Sequence, residues 1–379
     1  MGSCLSGASS APSPHNNYHD SSSSSSSRRN YSRDSSAEMR LHRVPGRVFL
    51  NGSSPFASLF CRQGGKGVNQ DAILLWEMFG DADDTVFCGV FDGHGPHGHV
   101  VAKKVRDCYP LKIMEEWNSR RRGDDDDGGK TSNNNKDDIL KMMRELFLMA
   151  SKFVDKELKL HYAMESFGSG TTAVTLFKKG QELVTANVGD SRAVLATLDS
   201  NGSLKPRQLT TDLKPNLPRE LERIRICKGR VFALNNESDV ARVWLPKVDS
   251  PGLAMSRAFG DFCLKNFGLI SVPEVAYHRL NNQDQFVVLA SDGIWDVLSN
   301  KEVVNIVASA PRASAAKQLV ESAVQAWKTR LPTSKLDDCS AVCLFFHPNT
   351  NNTPKRNTST TVGEKGVIES HDKTKQRHQ

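Results

Sequence analysis

The 379-residue sequence has no apolar run long enough to cross a bilayer, no CxxC pair and no basic stretch interleaved with aromatic residues. The first absence excludes a membrane-spanning helix. The second, with cysteines scattered at 4, 61, 88, 108, 227, 263, 339 and 343, excludes a short disulfide framework. No secretory leader pattern opens the chain. Reduced thiols in an intracellular protein are therefore expected, and N-x-S/T sites such as Asn51-Gly52-Ser53 carry no weight. The third absence removes a nucleic-acid groove, and no nucleic-acid partner is expected. The net charge of +7 is modest, and much of the basic excess lies near the ends, in "SSSRRN" and "DKTKQRHQ".

What is present is an ordinary globular balance, 38% hydrophobic and 25% charged, between polar ends. The chain begins "MGSCLS", the Met-Gly-x-x-x-Ser pattern of N-myristoylation at Gly2, with Cys4 placed for a palmitoyl group. One acyl chain anchors only marginally, so Cys4 or the basic group Arg28, Arg29, Arg33 and Arg40 would supply a second signal. The expectation is a lipid-anchored protein on the cytoplasmic face of the plasma membrane, with a cytosolic or nuclear pool. Residues 1–45 include seven consecutive serines, Ser21 to Ser27, and read as a disordered tether. Residues 46–348 read as one folded domain with a polar insertion at 118–138, and 349–379 as a polar tail. Inside the insertion "GGKT" invites a phosphate-loop reading. Its glycine spacing fails, four Asp precede it and no strand leads into it.

Within the domain, "TVFCGVFD", "TTAVTLF", "ELVTANV", "RAVLATL", "QFVVLAS" and "SAVCLFF" read as short strands, and "VGDSR" separates two of them at hairpin distance. Ile139, Met142, Leu146, Met149 and Phe153 recur at helical spacing and predict a helix over 137–161. A further helix is expected after "DGHG", with Val101, Val105 and Cys108 on one face. Two more are expected near the end, with Ser299 and Ser314 as N-caps. Strands with intervening helix pairs point to antiparallel sheets covered by helices, an α+β fold.

Several acids share one setting, the end of an apolar strand followed by a small residue: Asp92 in "VFDGHG", Asp190 in "NVGDSR" and Asp292 in "LASDGIWD". Asp337 in "LDDCSAV" lies just before a strand, and Asp71 lies in "GVNQDA". A lone Asp before Gly is ordinarily a turn cap. Three at strand ends form a cluster of hard oxygen donors if those ends converge, and such a cluster suits two Mn²⁺ or Mg²⁺ ions. Two such ions would acidify a shared water for attack at phosphorus. His94, His97 and His99 in "HGPHGH" are spaced irregularly and have no matching Cys or His group, which argues against zinc. His94 is better placed as a general acid.

In order, "GGKGVNQDA", "FCGVFDGHGPHG", "GSGTTAV", "ANVGDSRAVL", "LTTDLKP", "GLAMSRAFGD", "SVPEV", "VVLASDGIWDVLSN" and "DDCSAVCLFF" resemble the motif series of the metal-dependent type-2C serine/threonine protein phosphatases. The likeness spans roughly residues 58–347 and is strongest to myristoylated plant members. It implies a β-sandwich of two antiparallel sheets flanked by helices. Asp92 would bridge two Mn²⁺ or Mg²⁺ ions, the Gly93 carbonyl would bind one, and Asp292 and Asp337 would complete the other's shell. Asp71 matches an acid behind the ligands, Asp190 and Asp296 match acids near a weak third metal, and His94 matches the general acid. Lys66 falls on a phosphate contact. Metal-bound hydroxide would attack in line, with no covalent phosphoenzyme, and 206–250 would form a flap that helps choose substrates. The substrates would be phosphoproteins, with protein kinases as further partners and the enzyme a monomer.

The sequence departs from that pattern in three places. Gln70 stands where many members carry Glu, and Lys66 where many carry Arg, which loses the bidentate fork. Asp338 takes the place of an Asn, so a slip of one residue would exchange it with Asp337. These departures keep open a catalytically weak pseudophosphatase that binds phosphoproteins or a kinase, and a hydrolase of small phosphate esters is a third reading. A kinase is disfavoured, since "FGD" is not "DFG" and no Gly-rich loop is present.

Overall fold

Alternation explains the architecture. In the strand Thr85–His94, Phe87 and Phe91 point to one side while Cys88 and Val90 point to the other, and all four are buried. The same holds for Asp284–Ala290, where Phe286 and Val288 face away from Val287 and Leu289. Strands that are apolar on both faces must be covered on both faces. The computed structural model, which describes residues 41, 43–126, 136–235 and 237–347, shows how. One antiparallel sheet runs in the order Arg47–Val48, Asp71–Glu77, Thr85–His94, Ala173–Lys179, Glu182–Val188, Glu274–Arg279. A second runs Leu204–Gln208, Arg192–Leu198, Asp284–Ala290, Cys339–Phe345, Ala57–Arg62, Gly52–Ser53.

Ile73, Leu75, Cys88, Val90, Leu195, Val287, Leu289, Val342 and Leu344 fill the space between the sheets. The opposite faces pack under helices. Gly98–Asp126 and Lys136–His161 cover Phe87, Phe91 and Leu74, and Asn300–Ser309 and Ala315–Arg330 cover Val288, Ala341 and Cys343. Each fully buried Leu, Val or Phe contributes about 1.5–3 kcal/mol to this packing. The expected sandwich of two antiparallel sheets between helices is the fold.

Several local expectations change. The hairpin across "VGDSR" does not form: Glu182–Val188 belongs to the first sheet and Arg192–Leu198 to the second. Three residues can turn a hairpin or step between layers, and here Gly189, at φ 110°, takes the step. The helix Lys136–His161 buries Met143, Leu146, Phe147, Ala150, Val154 and Leu158, leaving Met149 and Phe153 45% and 42% exposed. Its apolar residues span two stripes, and packing chose the one beside the expected face. The insertion expected at 118–138 is helical at both flanks, since one helix runs through Asp126 and the next begins at Lys136. Extending an existing helix through Arg-rich sequence costs little. Ser299 caps its helix in a capping box with Glu302, whereas Ser314 makes no cap and its hydroxyl donates to Pro311 O at 3.2 Å. Gly2, Cys4, the rest of 1–40 and the tail from 348 lie outside the described residues.

The stretch 206–250 holds more than one element. Residues 206–208 complete a strand of the second sheet, and a separate unit begins with the helix Pro218–Ile226. It continues through a small sheet of Arg230–Ala233, Ala241–Trp244 and Pro251–Leu253, around Ile224, Val243, Leu253 and Met255. Buried Glu220 ties this unit down. It accepts from Arg223 Nη2 at 2.8 Å, Arg257 Nη2 at 2.6 Å and Ser256 Oγ at 2.7 Å. Burial favours its neutral form, but the hydrogen bonds from Arg257, Arg223 and Ser256 outweigh that and hold its pKa at about 2. A carboxylate lowered in the folded state stabilises above its unfolded pKa and stops doing so as pH falls through its folded one. Glu220→Gln is expected to cost about 3 kcal/mol in urea denaturation at pH 7. That deficit should shrink as pH falls from about 4 toward 2.

Candidate active site

The acids singled out in sequence meet at one edge of the sandwich, where strands of both sheets end. Asp71 and Asp92 stand directly opposite each other in the ladder between Asp71–Glu77 and Thr85–His94. Asp292 opens the short helix Asp292–Trp295 immediately after the strand Asp284–Ala290, and Asp337 precedes Cys339–Phe345, its neighbour in the second sheet. Ser291 joins the two sheets: its hydroxyl donates to Asp71 Oδ2 at 2.8 Å and accepts from Ser340 N at 3.1 Å. Asp190 sits on the step between the sheets, and Asp296 follows one turn after Asp292.

Charge crowding dominates the chemistry. Burial, then the charges of Asp292, Asp71, Asp337 and Asp190, push the Asp92 carboxyl well above the usual carboxylate range. Burial, then Asp337, Asp296 and Asp190, do the same to Asp292. Asp71 is pushed up to about 7 by burial and Asp338. Two lysines answer part of this charge. Lys66 pairs with Asp337 and Lys214 donates to Asp190 at 2.5 Å. Burial works against the Lys66 ammonium, but Asp337, Asp292 and Asp92 keep it charged. Burial would raise Asp190, yet Lys214 outweighs it and holds that carboxyl below its ordinary value. Asp71 Oδ1 and Asp190 Oδ1 are buried with no partner among the described residues.

Asp337 and Asp338 have different surroundings. Both Asp338 oxygens are taken by backbone amides, Gly64 N at 2.7 Å and Gln70 N at 2.8 Å, so it clamps the loop carrying Lys66. Asp337 faces Lys66 and raises Asp292. Gln70 holds the catalytic turn: its Nε2 donates to Gly95 O at 2.8 Å, a bond a Glu carboxylate has no proton to make. Gly93 has no room for a side chain, since a Cβ there would stand 2.5 Å from both Gln70 O and Gly98 O.

Unpaired buried carboxylate oxygens and mutually raised acids are the chemistry of a hard-cation site. Asp92, Asp292, Asp337 and the Gly93 carbonyl are the residues able to hold such ions. Among the described residues no three Asp, Glu, His or Cys side chains yet converge on one point. At Asp190 the chain supplies its own cation, Lys214, which the sequence reading missed although it stands in the quoted "LTTDLKP". Asp261, in "GLAMSRAFGD", also went without a role and lies 2.6 Å from His94.

The family model described as "Protein phosphatase 2C" matches residues 60–329. The chain belongs to the protein phosphatase 2C family. It is 50% identical to "Probable protein phosphatase 2C 33" of Arabidopsis thaliana, over 93% of this chain and 81% of that one. It is 52% identical to "Probable protein phosphatase 2C 66" of Oryza sativa subsp. japonica, over 82% of this chain but only 62% of that longer one. Among solved structures, the serine-threonine phosphatase 2C from Toxoplasma gondii superposes with a TM-score of 0.71 at 27% identity, over 80% of this chain and 100% of that one. The type-2C resemblance read from the motifs is therefore the family, and the protein is a serine/threonine phosphatase by type.

Proposed function

We propose that the protein hydrolyses phosphoserine and phosphothreonine in other proteins, with two Mn²⁺ or Mg²⁺ ions held by Asp92, Asp292, Asp337 and the Gly93 carbonyl. The observation that carries this reading is the buried carboxylate cluster, in which Asp92 and Asp292 are raised by their neighbours while Lys66 and Lys214 answer part of the charge. Bound there, the ions would acidify a water and offset the charge of the phosphate. The remaining work falls to the chain. Lys66, freed from Asp337, is the cation for the phosphate oxygens, and Asp71, held by Ser291, fixes the far side of the cluster. His94, shielded beside the cluster, donates the proton to the departing seryl or threonyl oxygen.

Expected is turnover of a phosphothreonine peptide that needs Mn²⁺ or Mg²⁺ and stops with chelator. Tight phosphopeptide binding without metal-dependent turnover would favour instead the pseudophosphatase that binds phosphoproteins or a kinase. The pairing of Lys66 with Asp337 is the observation on that side. We also propose that Gly2 is myristoylated and Cys4 palmitoylated, anchoring a monomer at the cytoplasmic face of the plasma membrane, on the strength of "MGSCLS" alone. Gly2→Ala is expected to move the protein from the membrane pellet to the cytosol, and unchanged fractionation would contradict the anchor.

A further inference from the structure

His94 has a partner that spacing along the chain does not connect with it. Gly93 and His94 close the strand Thr85–His94 and pair with Thr171 and Gly170, which pair in turn with Phe259 and Gly260. These short strands bring the next residue, Asp261, beside the ring, with Oδ2 2.6 Å from His94 Nε2. The two side chains are only 8% and 2% exposed. Asp261 turns on a left-handed backbone, φ 50°, fixed by its N–H to Ser169 O at 2.9 Å and by Leu264 N–H to its carbonyl at 2.9 Å. Asp155 holds the preceding residue, accepting from Gly260 N at 3.0 Å while Lys265 Nζ clamps it at 2.8 Å. Gly170 is the window between the partners: a Cβ there would overlap Asp261 Oδ2 and stand 2.8 Å from His94 Nε2.

We infer that Asp261 is a positioning residue that holds the His94 imidazole in the orientation needed for proton donation, with Nε2 turned to Asp261 and Nδ1 left for the substrate. The inference rests on the hydrolase reading above. With Nε2–H donating to Asp261, the nitrogen left to deliver a proton is Nδ1, which is buried and has no partner among the described residues. As the oxygen of a water bonds to phosphorus, the bond from phosphorus to the seryl or threonyl oxygen breaks and its electron pair stays on that oxygen; phosphate carries away the water's oxygen. The Nδ1 proton moves to the oxygen, and His94 is left neutral with Nε2–H still on Asp261.

Asp261→Asn is nearly isosteric, and Asn tolerates the left-handed backbone. The test compares two substrates, a phosphothreonine peptide whose alkoxide needs a proton to leave and 4-nitrophenyl phosphate whose leaving group departs without one. For Asp261→Asn, kcat on the peptide is expected to fall by about 10² with little change in KM, and on the aryl phosphate by less than about fivefold. In a His94→Ala background, Asp261→Asn should add almost nothing on the peptide. Equal losses on both substrates, additive losses in the double variant, or unchanged peptide turnover would each overturn the assignment. Circular dichroism and Tm serve to separate a folding defect, which would depress both substrates alike. A wild type idle on both substrates would overturn the hydrolase reading and this assignment with it.

Discussion

Stripped of divalent ions, Asp92→Asn is expected to be more stable than the wild type and, with Mn²⁺ restored, nearly inactive. Both effects come from one carboxylate. Asp92 is raised by burial and by Asp292, Asp71, Asp337 and Asp190, so ionising it in the empty cluster costs free energy. An acid whose folded pKa lies above its unfolded one loses stability as pH rises between the two. Asn removes that charge and keeps the shape, and its backbone N–H still donates to Thr172 Oγ1 at 3.1 Å. The gain should open above about pH 4 and exceed about 1 kcal/mol near neutrality, read from urea denaturation in chelator. Added Mn²⁺ should raise the Tm of the wild type far more than that of the variant. Turnover should fall by about 10³, since the charge stabilisation removed is worth several kcal/mol. A variant less stable than wild type in chelator would show that Asp92 is held by partners, not crowded by like charge.

Gly293→Ala is expected to damage fold and site together. A Cβ at Gly293 would overlap Asp338 O and stand 3.2 Å from Cys339 Sγ. Its carbonyl is also the acceptor for buried Trp327 Nε1 at 2.7 Å. The obstacle is backbone, so no rotamer change relieves it, and the segments carrying Asp292 and Asp337 must separate. A loss of about 3 kcal/mol is expected in denaturation, the upper range for overpacking, with a rise of at least about tenfold in the Mn²⁺ needed for half-maximal activity. Gly202, where a Cβ would meet nothing within 4 Å but φ is 75°, is the control: Gly202→Ala should cost about 1 kcal/mol and leave the metal requirement alone.

Much of this was legible because strands advertise themselves. Phe87, Val90 and Phe91 alternate faces in a run too short for a buried helix, and that run ends at an acid followed by a small residue. Asp92, Asp190 and Asp292 could therefore be placed at strand ends, and Asp337 just before a strand, before any pairing was known. The contacts that cross the sequence were hidden. His94 and Asp261 stand 167 positions apart, and nothing local to either marks the other. Lys214 was given no role, because its partner Asp190 is 24 residues away. The step at Gly189 was misread as a hairpin because turn length does not say which layer the next strand joins. Asp338 could be told from Asp337 only once the loop bearing Gly64 and Gln70 was folded against it.

The hydroxyl of Ser291 is one stitch between two halves whose facing surfaces are largely oil. Asp71, Asp92 and His94 ride on one half, Asp292 and Asp337 on the other, so the spacing across the reaction centre is the spacing of the seam itself. A methylene lost from Val90 or Leu289, deep in that seam, would let the halves slide and detune an apparatus it never touches. Much of this enzyme's accuracy is thus stored in its grease.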